Sequence, residues 1–167
     1  MASPKSSIDI AVKVTAPNKS LRGSLKFTYS AKGAHVEANG DIYLPADGVE
    51  VTLRFHLETQ YIVVVGAAGR ERLPVSFDPG SGRSGKDALA IWREGDARQR
   101  FPSLVFNGPA LSTSADGRAN AVVATTDANQ EREIFEYSIA VVVQRRNGRQ
   151  FRKVHDPRIK NGGIGAD

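Results

Sequence analysis

The chain contains no cysteine and has no long apolar run. Without cysteine it forms no disulfide, no thiolate metal site and no blue-copper centre of the His/His/Cys kind, which fits a reducing compartment. The longest apolar run, residues 61–68, is far shorter than the roughly 20 residues that a membrane-spanning helix needs. The first residues lack the apolar core of a signal peptide. We therefore expect a soluble, cytoplasmic protein.

The length of the chain restricts the number of domains, and its charge restricts the class of partner. With 167 residues the chain is long enough to bury a core of its own. We expect one domain over 1–167, with flexible ends at 1–7 and 162–167. The net charge of +5 favours an anionic partner without selecting one. Much of the arginine lies within 93–100 and 145–153, which predicts two basic patches.

Asx-Gly dipeptides separate short runs that are rich in Val, Ile, Phe and Tyr. Asn or Asp followed by Gly tolerates the positive φ angles of a type I′ turn, whose twist matches the strands that it joins. We interpret these dipeptides as hairpin turns, which makes the chain all-β. Their first residues are Asn39, Asp47, Asn107, Asp116 and Asn147.

Alternating patterns predict the strands themselves. Residues 49–58 are apolar at every odd position and polar at every even one, as in a strand with one buried face. Residues 61–65 are apolar on both sides, which predicts a central or core strand covered on both faces. With the other candidates we count roughly eight to ten strands, typical of a two-sheet β-sandwich with Greek-key connections. The others are 8–14, 25–29, 41–44, 74–77, 104–106, 121–125, 133–143 and 149–155.

Residues 78–100 are predicted to form one long insertion between strands, mostly loop with a short element. Within it, residues 80–87 match the phosphate loop of nucleotide hydrolases at seven of eight positions. Asp87 stands where a hydroxyl should bind magnesium, so we favour a flexible surface loop. Trp92 is either a core anchor or a stacking platform for a base or sugar.

The sequence shows no catalytic constellation and implies no cofactor. His35, His56 and His155 are far apart, although a zinc site assembled across strands stays an alternative to ordinary surface histidines. No G-x-S-x-G motif is present for a serine nucleophile. Oxygen ligands for calcium at Asp116 and the turn 127–129 lack the density of a dedicated site. We therefore predict that the protein is not an enzyme.

The hairpin at Asn147-Gly148 can be assigned a register from its turn. A two-residue loop pairs Arg146 with Arg149 and Gln144 with Phe151. Like charges that face each other across strands are destabilising. The tip is therefore either fully solvated or in contact with an anion.

The last quarter of the chain resembles a known family. The Asn-Gly hairpin is preceded by Thr126-Asp127-Ala128-Asn129 and Phe135-Glu136-Tyr137, and it is followed by Asp156-Pro157-Arg158-Ile159-Lys160-Asn161. This order resembles the small bacterial proteins of the DP-EP family, which end in an Asp-Pro-x-Ile-x-Asn signature. The resemblance implies an immunoglobulin-like β-sandwich without a known enzymatic role.

Three functional hypotheses remain. The first is a non-catalytic interaction or assembly module that self-associates or binds a protein partner through a sheet edge or the insertion, with no membrane partner. The second is an anion or nucleic-acid binder that uses the basic loop 93–100 and the hairpin 145–153, with Trp92 as a stacking residue. The third is an enzyme with a cross-strand metal or carboxylate site. Candidate anion-binding residues are Arg93, Arg98, Arg100, Arg145, Arg146, Arg149, Arg152 and Lys153.

Overall fold

The computed structural model describes residues 5–21, 25–32, 36–44, 50–66, 69–80, 88–93, 106–113, 119–126 and 134–160. Within these ranges the protein is all-β, with twelve strands and no helix. The strands are β1 (Lys5–Thr15), β2 (Lys26–Ala31), β3 (Ile42–Tyr43), β4 (Glu50–Leu57), β5 (Tyr61–Gly66), β6 (Gly69–Phe77), β7 (Leu89–Arg93), β8 (Phe106–Thr113), β9 (Ala119–Thr126), β10 (Ile134–Gln144), β11 (Gln150–His155) and β12 (Arg158–Lys160).

The strands form two mixed sheets. One has five strands in the order β2-β1-β4-β9-β8, with β1 and β4 parallel. The other has seven strands in the order β3-β12-β10-β6-β5, and β11 and β7 also pair with β10. β11 and β12 pair with β10 in one continuous register on either side of Asp156-Pro157. The predicted all-β class and two-sheet architecture are confirmed, while the immunoglobulin-type arrangement stays a prediction.

The inner faces of the two sheets bury one common apolar core. In β4 the odd residues from Val51 to Leu57 are buried, whereas Arg54 and His56 are exposed. In β10, Tyr137 and the three following odd residues have no exposed surface. Apolar burial of this kind is the main force that holds two sheets together.

The structure corrects the position predicted for β5. This strand lies at an edge of the seven-stranded sheet, beside β6. Ile62 and Val64 face the core, but 45% of Val63 and 56% of Val65 are exposed. A strand that is apolar on both faces therefore does not have to be central, because the hydrophobic pattern reports side-chain chemistry and not strand order.

The hairpin between β10 and β11 also differs from its prediction, by one residue. Gln144 pairs with Gln150 rather than with Phe151. The loop has three residues, since the Arg145 amide donates to the Arg149 carbonyl at 2.9 Å and Gly148 has a φ of 81°. This is a type I turn followed by a left-handed glycine. Arg145, and not Arg146, consequently lies opposite Arg149.

Other turn and loop predictions have mixed outcomes. Asn107-Gly108 lies inside β8 at a register shift, so it forms a bulge rather than a hairpin turn. Asn39-Gly40 does form a turn, closed by the bridge between Val36 and Ile42. The dipeptides at Asp47 and Asp116 lie outside the described residues.

The insertion 78–100 and the stretch 1–7 also differ in part from their predicted structure. The short element within the insertion 78–100 is β7, which pairs with β10. β1 begins at Lys5, within the stretch 1–7 expected to be flexible, and its first three residues pair with 50–52.

Candidate interaction surfaces

His56 and His155, the two histidines that the structure describes, do not meet in a metal site. Among the described residues no group of three or more His, Asp or Glu side chains could hold a metal ion. His56 lies on the exposed outer face of β4, with its Nε2 3.3 Å from Asp9 Oδ1, and Arg54 Nη1 lies 3.8 Å from the same oxygen. Ion pairs this exposed contribute little to stability. His35 lies outside the described residues.

His155 belongs to an aromatic cluster that joins the two sheets. Its ring stacks on Phe27 and Tyr29, with centroid distances of 5.1 and 5.5 Å. The hydroxyl oxygen of Tyr29 lies 2.9 Å from Nδ1 of His155, a hydrogen-bond distance. Burial lowers the pKa of His155 below its usual value, and nearby Lys153 acts in the same direction against the opposing influence of Asp156 and Asp41. The cluster therefore favours a neutral imidazole.

Tyr137 continues this cluster into the core. Its ring packs edge-on to Tyr29 at 6.5 Å, and its hydroxyl donates to the Gly40 carbonyl at 2.5 Å. Gly40 has a φ of 96°, and a Cβ atom there would lie 2.7 Å from both Pro157 Cγ and Tyr29 Cε2. Burial raises the pKa of both tyrosines, so neither phenol ionises near neutral pH.

We call this region the aromatic end. It consists of Phe27, Tyr29, Gly40, Tyr137, His155 and Pro157. The hydroxyls of Tyr29 and Tyr137 lie within hydrogen-bond distance of His155 Nδ1 and the Gly40 carbonyl. The arrangement stabilises the fold.

The opposite end of the molecule carries two hairpin tips side by side. β6 runs antiparallel to β10, with Val75 opposite Val143. The start of β6, at Gly69, therefore lies at the same end as the 146–148 turn that follows β10. The loop after β1 reaches this end too, since the Lys19 carbonyl accepts the Val65 amide at 2.8 Å.

A groove of about 530 Å³ between the sheets extends this end towards β1. Lys13 and Arg72 both line it, together with Glu58. Thr15 also lines the groove and pairs with Lys26 of β2. Cationic side chains from three strands and two loops thus surround one end of the sandwich.

We call this region the basic end, and its eight cations are all exposed. They are Lys13, Lys19, Lys26, Arg70, Arg72, Arg145, Arg146 and Arg149. Within the ranges that the structure describes, none of the eight forms an ion pair. The carboxylates placed here by the described residues are Glu58 and Glu71.

The remaining predicted anion-binding residues do not join this set. Arg152 extends over the outer face of β10, and its Nε lies 2.5 Å from Asp78 Oδ2. Lys153 is half-buried opposite Val141.

Of the basic loop 93–100 the structure describes Arg93, which lies far from the tip of the hairpin. Arg93 pairs with Phe135, nine residues before Gln144 on the same strand, which separates the two by about 30 Å. Trp92 pairs with Glu136 at that same distant end of β10. Arg98 and Arg100 lie outside the described residues, as does the 81–87 portion of the phosphate-loop-like segment.

The exposed edge of β5 is the second candidate surface. The Val65 amide donates away from β6, to Lys19, and alternation along a strand directs the main-chain groups of Val63 to the same outer side. Residues 61–66 carry no charged side chain. β11, another edge of this sheet, instead carries Arg152 and Lys153, the kind of charge that prevents edge pairing.

Sequence reasoning missed two features for the same reason. The basic end draws on residues between 13 and 149, and the aromatic end on residues between 27 and 157, so neither forms a run in the sequence. The one signal present was the inward position of Tyr29 and Tyr137 in their alternating strands. Strand pairing, which a single sequence does not determine, brings the members together.

No family model and no curated protein matches the chain. Among solved structures, the chain is similar to the crystal structure of inclusion body protein PixA from Burkholderia cenocepacia, with 11% sequence identity over 98% of this chain and 99% of that chain. The TM-score is 0.44. A likeness at this level assigns neither a family nor a function. Within the described residues no helix is long and apolar enough to cross a membrane.

Proposed function

We propose that the chain is a non-catalytic interaction module that associates with a second copy of itself along the edge of β5. The exposed, uncharged edge strand is the observation that carries the proposal. Val63 and Val65 present aliphatic surface to solvent beside outward main-chain groups. Edge strands without charge, proline or a covering element pair readily with other chains.

A second copy fits this edge for a geometric reason. Two β5 strands related by a two-fold axis pair antiparallel, which places the valines of one copy against those of the other. Arg72 and Arg70 lie opposite Val63 and Val65 on β6, so cations of both copies flank the pairing. Their repulsion should weaken the association at low salt.

The expected association is weak. Complete burial of a valine side chain is worth about 1.5–3 kcal/mol, so four half-exposed valines contribute about 3–6 kcal/mol. Loss of translational and rotational freedom costs about 4–15 kcal/mol, and main-chain hydrogen bonds supply part of the balance. The Val65 amide is already bonded to Lys19, which limits the pairing at that end of β5. Association should therefore depend on concentration.

Sedimentation velocity from about 10 µM to about 1 mM, the weak-binding range, tests the proposal. We expect the wild-type weight-average mass to rise towards a dimer, and Val63→Lys and Val65→Lys to remain monomeric. Ser112→Lys, at an exposed position of the edge strand β8, is the matched control and should associate like wild type. A monomeric wild type at the highest concentration, or loss of association in Ser112→Lys instead, contradicts the use of β5.

A further inference from the structure

The positive charge of the molecule is concentrated at the basic end. Among the described residues, eight cationic side chains lie there against two carboxylates, an excess of six. The whole chain has a net charge of +5, so all its other residues together sum to about −1. A potential of one sign over one end attracts and orients an oppositely charged polymer.

The chemistry of these cations favours phosphate. Five of the eight are arginines, whose planar guanidinium groups bind phosphate oxygens in bidentate fashion. Arg145 and Arg149 lie directly opposite each other in the hairpin, with Cα atoms about 5.5 Å apart. An anion between the two side chains converts their repulsion into two charge-assisted hydrogen bonds.

The shape of the basic end favours a flexible strand over a flat surface. Lys13 belongs to one sheet and Arg72 to the other, and both line the groove. A lipid bilayer would reach the hairpin tips but not the groove. A single-stranded polymer can follow both.

The same end offers little for reading bases. The described part of the chain places Tyr61 and Phe151 there. The Arg72 guanidinium lies over the Tyr61 ring at 4.1 Å, and Phe151 packs against the core. Base stacking on proteins needs an open aromatic face. Contact with the phosphate backbone is sequence-independent.

We propose that the basic end binds single-stranded nucleic acid through its phosphate backbone, without base specificity. This inference concerns a different partner from the self-association along β5, although Val63 of β5 also lines the groove.

Fluorescence anisotropy with a labelled oligodeoxythymidylate tests the proposal. A probe of about 20 nucleotides exceeds the usual site size of one small domain. Affinity should fall linearly with salt on logarithmic axes between about 50 and about 200 mM, with a slope of about −0.7 for each phosphate contact. We expect Arg145→Gln/Arg149→Gln, and separately Arg70→Gln/Arg72→Gln, to weaken binding and to make the slope shallower by about 1.4.

Matched controls separate this effect from a loss of net charge. Lys32→Gln/Arg54→Gln removes two exposed charges away from the basic end and should retain the wild-type slope. Val65→Lys, which lies outside the groove lining, should bind the oligonucleotide at least as well as wild type although it no longer associates with itself. Each result thus distinguishes failure of this proposal from failure of the proposed function.

Three results would overturn the inference. The first is no oligonucleotide binding at about 50 mM salt, where phosphate contacts are strongest. The second is an equal loss of binding in the control and in the basic-end variants. The third is binding to phosphatidylserine vesicles or to polyglutamate in place of the oligonucleotide, which assigns the surface to a membrane or to an acidic protein.

Discussion

At the aromatic end the hydroxyl of Tyr137 is buried and donates to the Gly40 carbonyl, whereas at the basic end Arg145 and Arg149 face each other in solvent. Polar groups of the first region have partners inside the protein. The cations of the second have no ion pair within the described chain. This difference indicates that the first end contributes to the stability of the fold, and it is the second end that we propose contacts a partner. Substitutions at the two ends should therefore act on different properties.

The largest effect should come from Gly40→Ala. A left-handed φ costs an alanine about 1–2 kcal/mol, and overpacking against Pro157 and Tyr29 adds about 1–3 kcal/mol. We expect the free energy of unfolding to fall by about 2–5 kcal/mol, measured by urea denaturation. Gly148→Ala is the matched control, because Gly148 also has a positive φ but a Cβ atom there meets nothing within 4 Å. Equal losses in the two variants would show that the close packing at Gly40 contributes nothing.

The turn at Gly40 also shows which structural features can be predicted from the sequence. Asn39-Gly40 was predicted as a turn, and the inward side of Tyr29 follows from the alternation in β2. Nothing in the sequence indicates that Pro157, more than a hundred residues later, packs against that turn. The contact exists because β12 continues the register of β11 on β10 and lies beside β3. Such pairings depend on the whole sheet and not on local pattern.

A second effect of the same kind is expected from Tyr137→Phe. The substitution leaves the buried Gly40 carbonyl without its donor, and an unsatisfied buried group costs about 1–3 kcal/mol. Urea denaturation should show a loss of that size. Tyr43→Phe removes an exposed hydroxyl that donates to Glu37 at 2.8 Å, and it should cost less than about 0.5 kcal/mol. Equal losses in the free energy of unfolding for Tyr137→Phe and Tyr43→Phe would show that the buried hydrogen bond of Tyr137 stabilises the fold no more than the exposed one of Tyr43.

The aromatic end should also confer a pH dependence on stability. The folded-state pKa of His155 lies below its unfolded value, mainly through burial, so the unfolded chain binds the proton more readily. The contribution of neutral His155 to the free energy of unfolding is complete above the pKa of histidine in the unfolded chain, about 6.5. It is lost as the pH falls through the pKa of His155 in the folded protein. The slope is at most about 1.4 kcal/mol per pH unit. Thermal or urea unfolding between about pH 7 and about pH 4 should show it.

His155→Gln should remove this component of the pH dependence. His56→Gln, on the exposed face of β4, should retain it. A profile that is the same in wild type and in His155→Gln would mean that the histidine in the aromatic cluster does not control acid sensitivity.

The register of the β10–β11 hairpin shows a feature that the local sequence pattern does not determine. Asn147-Gly148 correctly indicated the turn, but the dipeptide is compatible with loops of two or three residues. The three-residue loop moves every pair by one position and places Arg145 opposite Arg149. Likewise the uncharged run of β5 indicated a strand but not an edge. The strand order, which no local pattern encodes, decides which arginines and which valines reach solvent.

The smallest effect on stability is expected at the basic end, from Arg145→Gln/Arg149→Gln. Removing two like charges that face each other across a hairpin should leave the free energy of unfolding unchanged or raise it by some tenths of a kcal/mol. Any gain should vanish at about 1 M salt, where the Debye length is about 3 Å and the repulsion is already screened. Lys32→Gln, an isolated exposed charge, should show neither the gain nor its salt dependence. A loss above about 1 kcal/mol would mean that these arginines stabilise the fold, and the contrast between the two ends would then fail. Retained stability together with weakened oligonucleotide binding is the combination that our proposal predicts, since neither arginine has an ion-pair partner among the described residues.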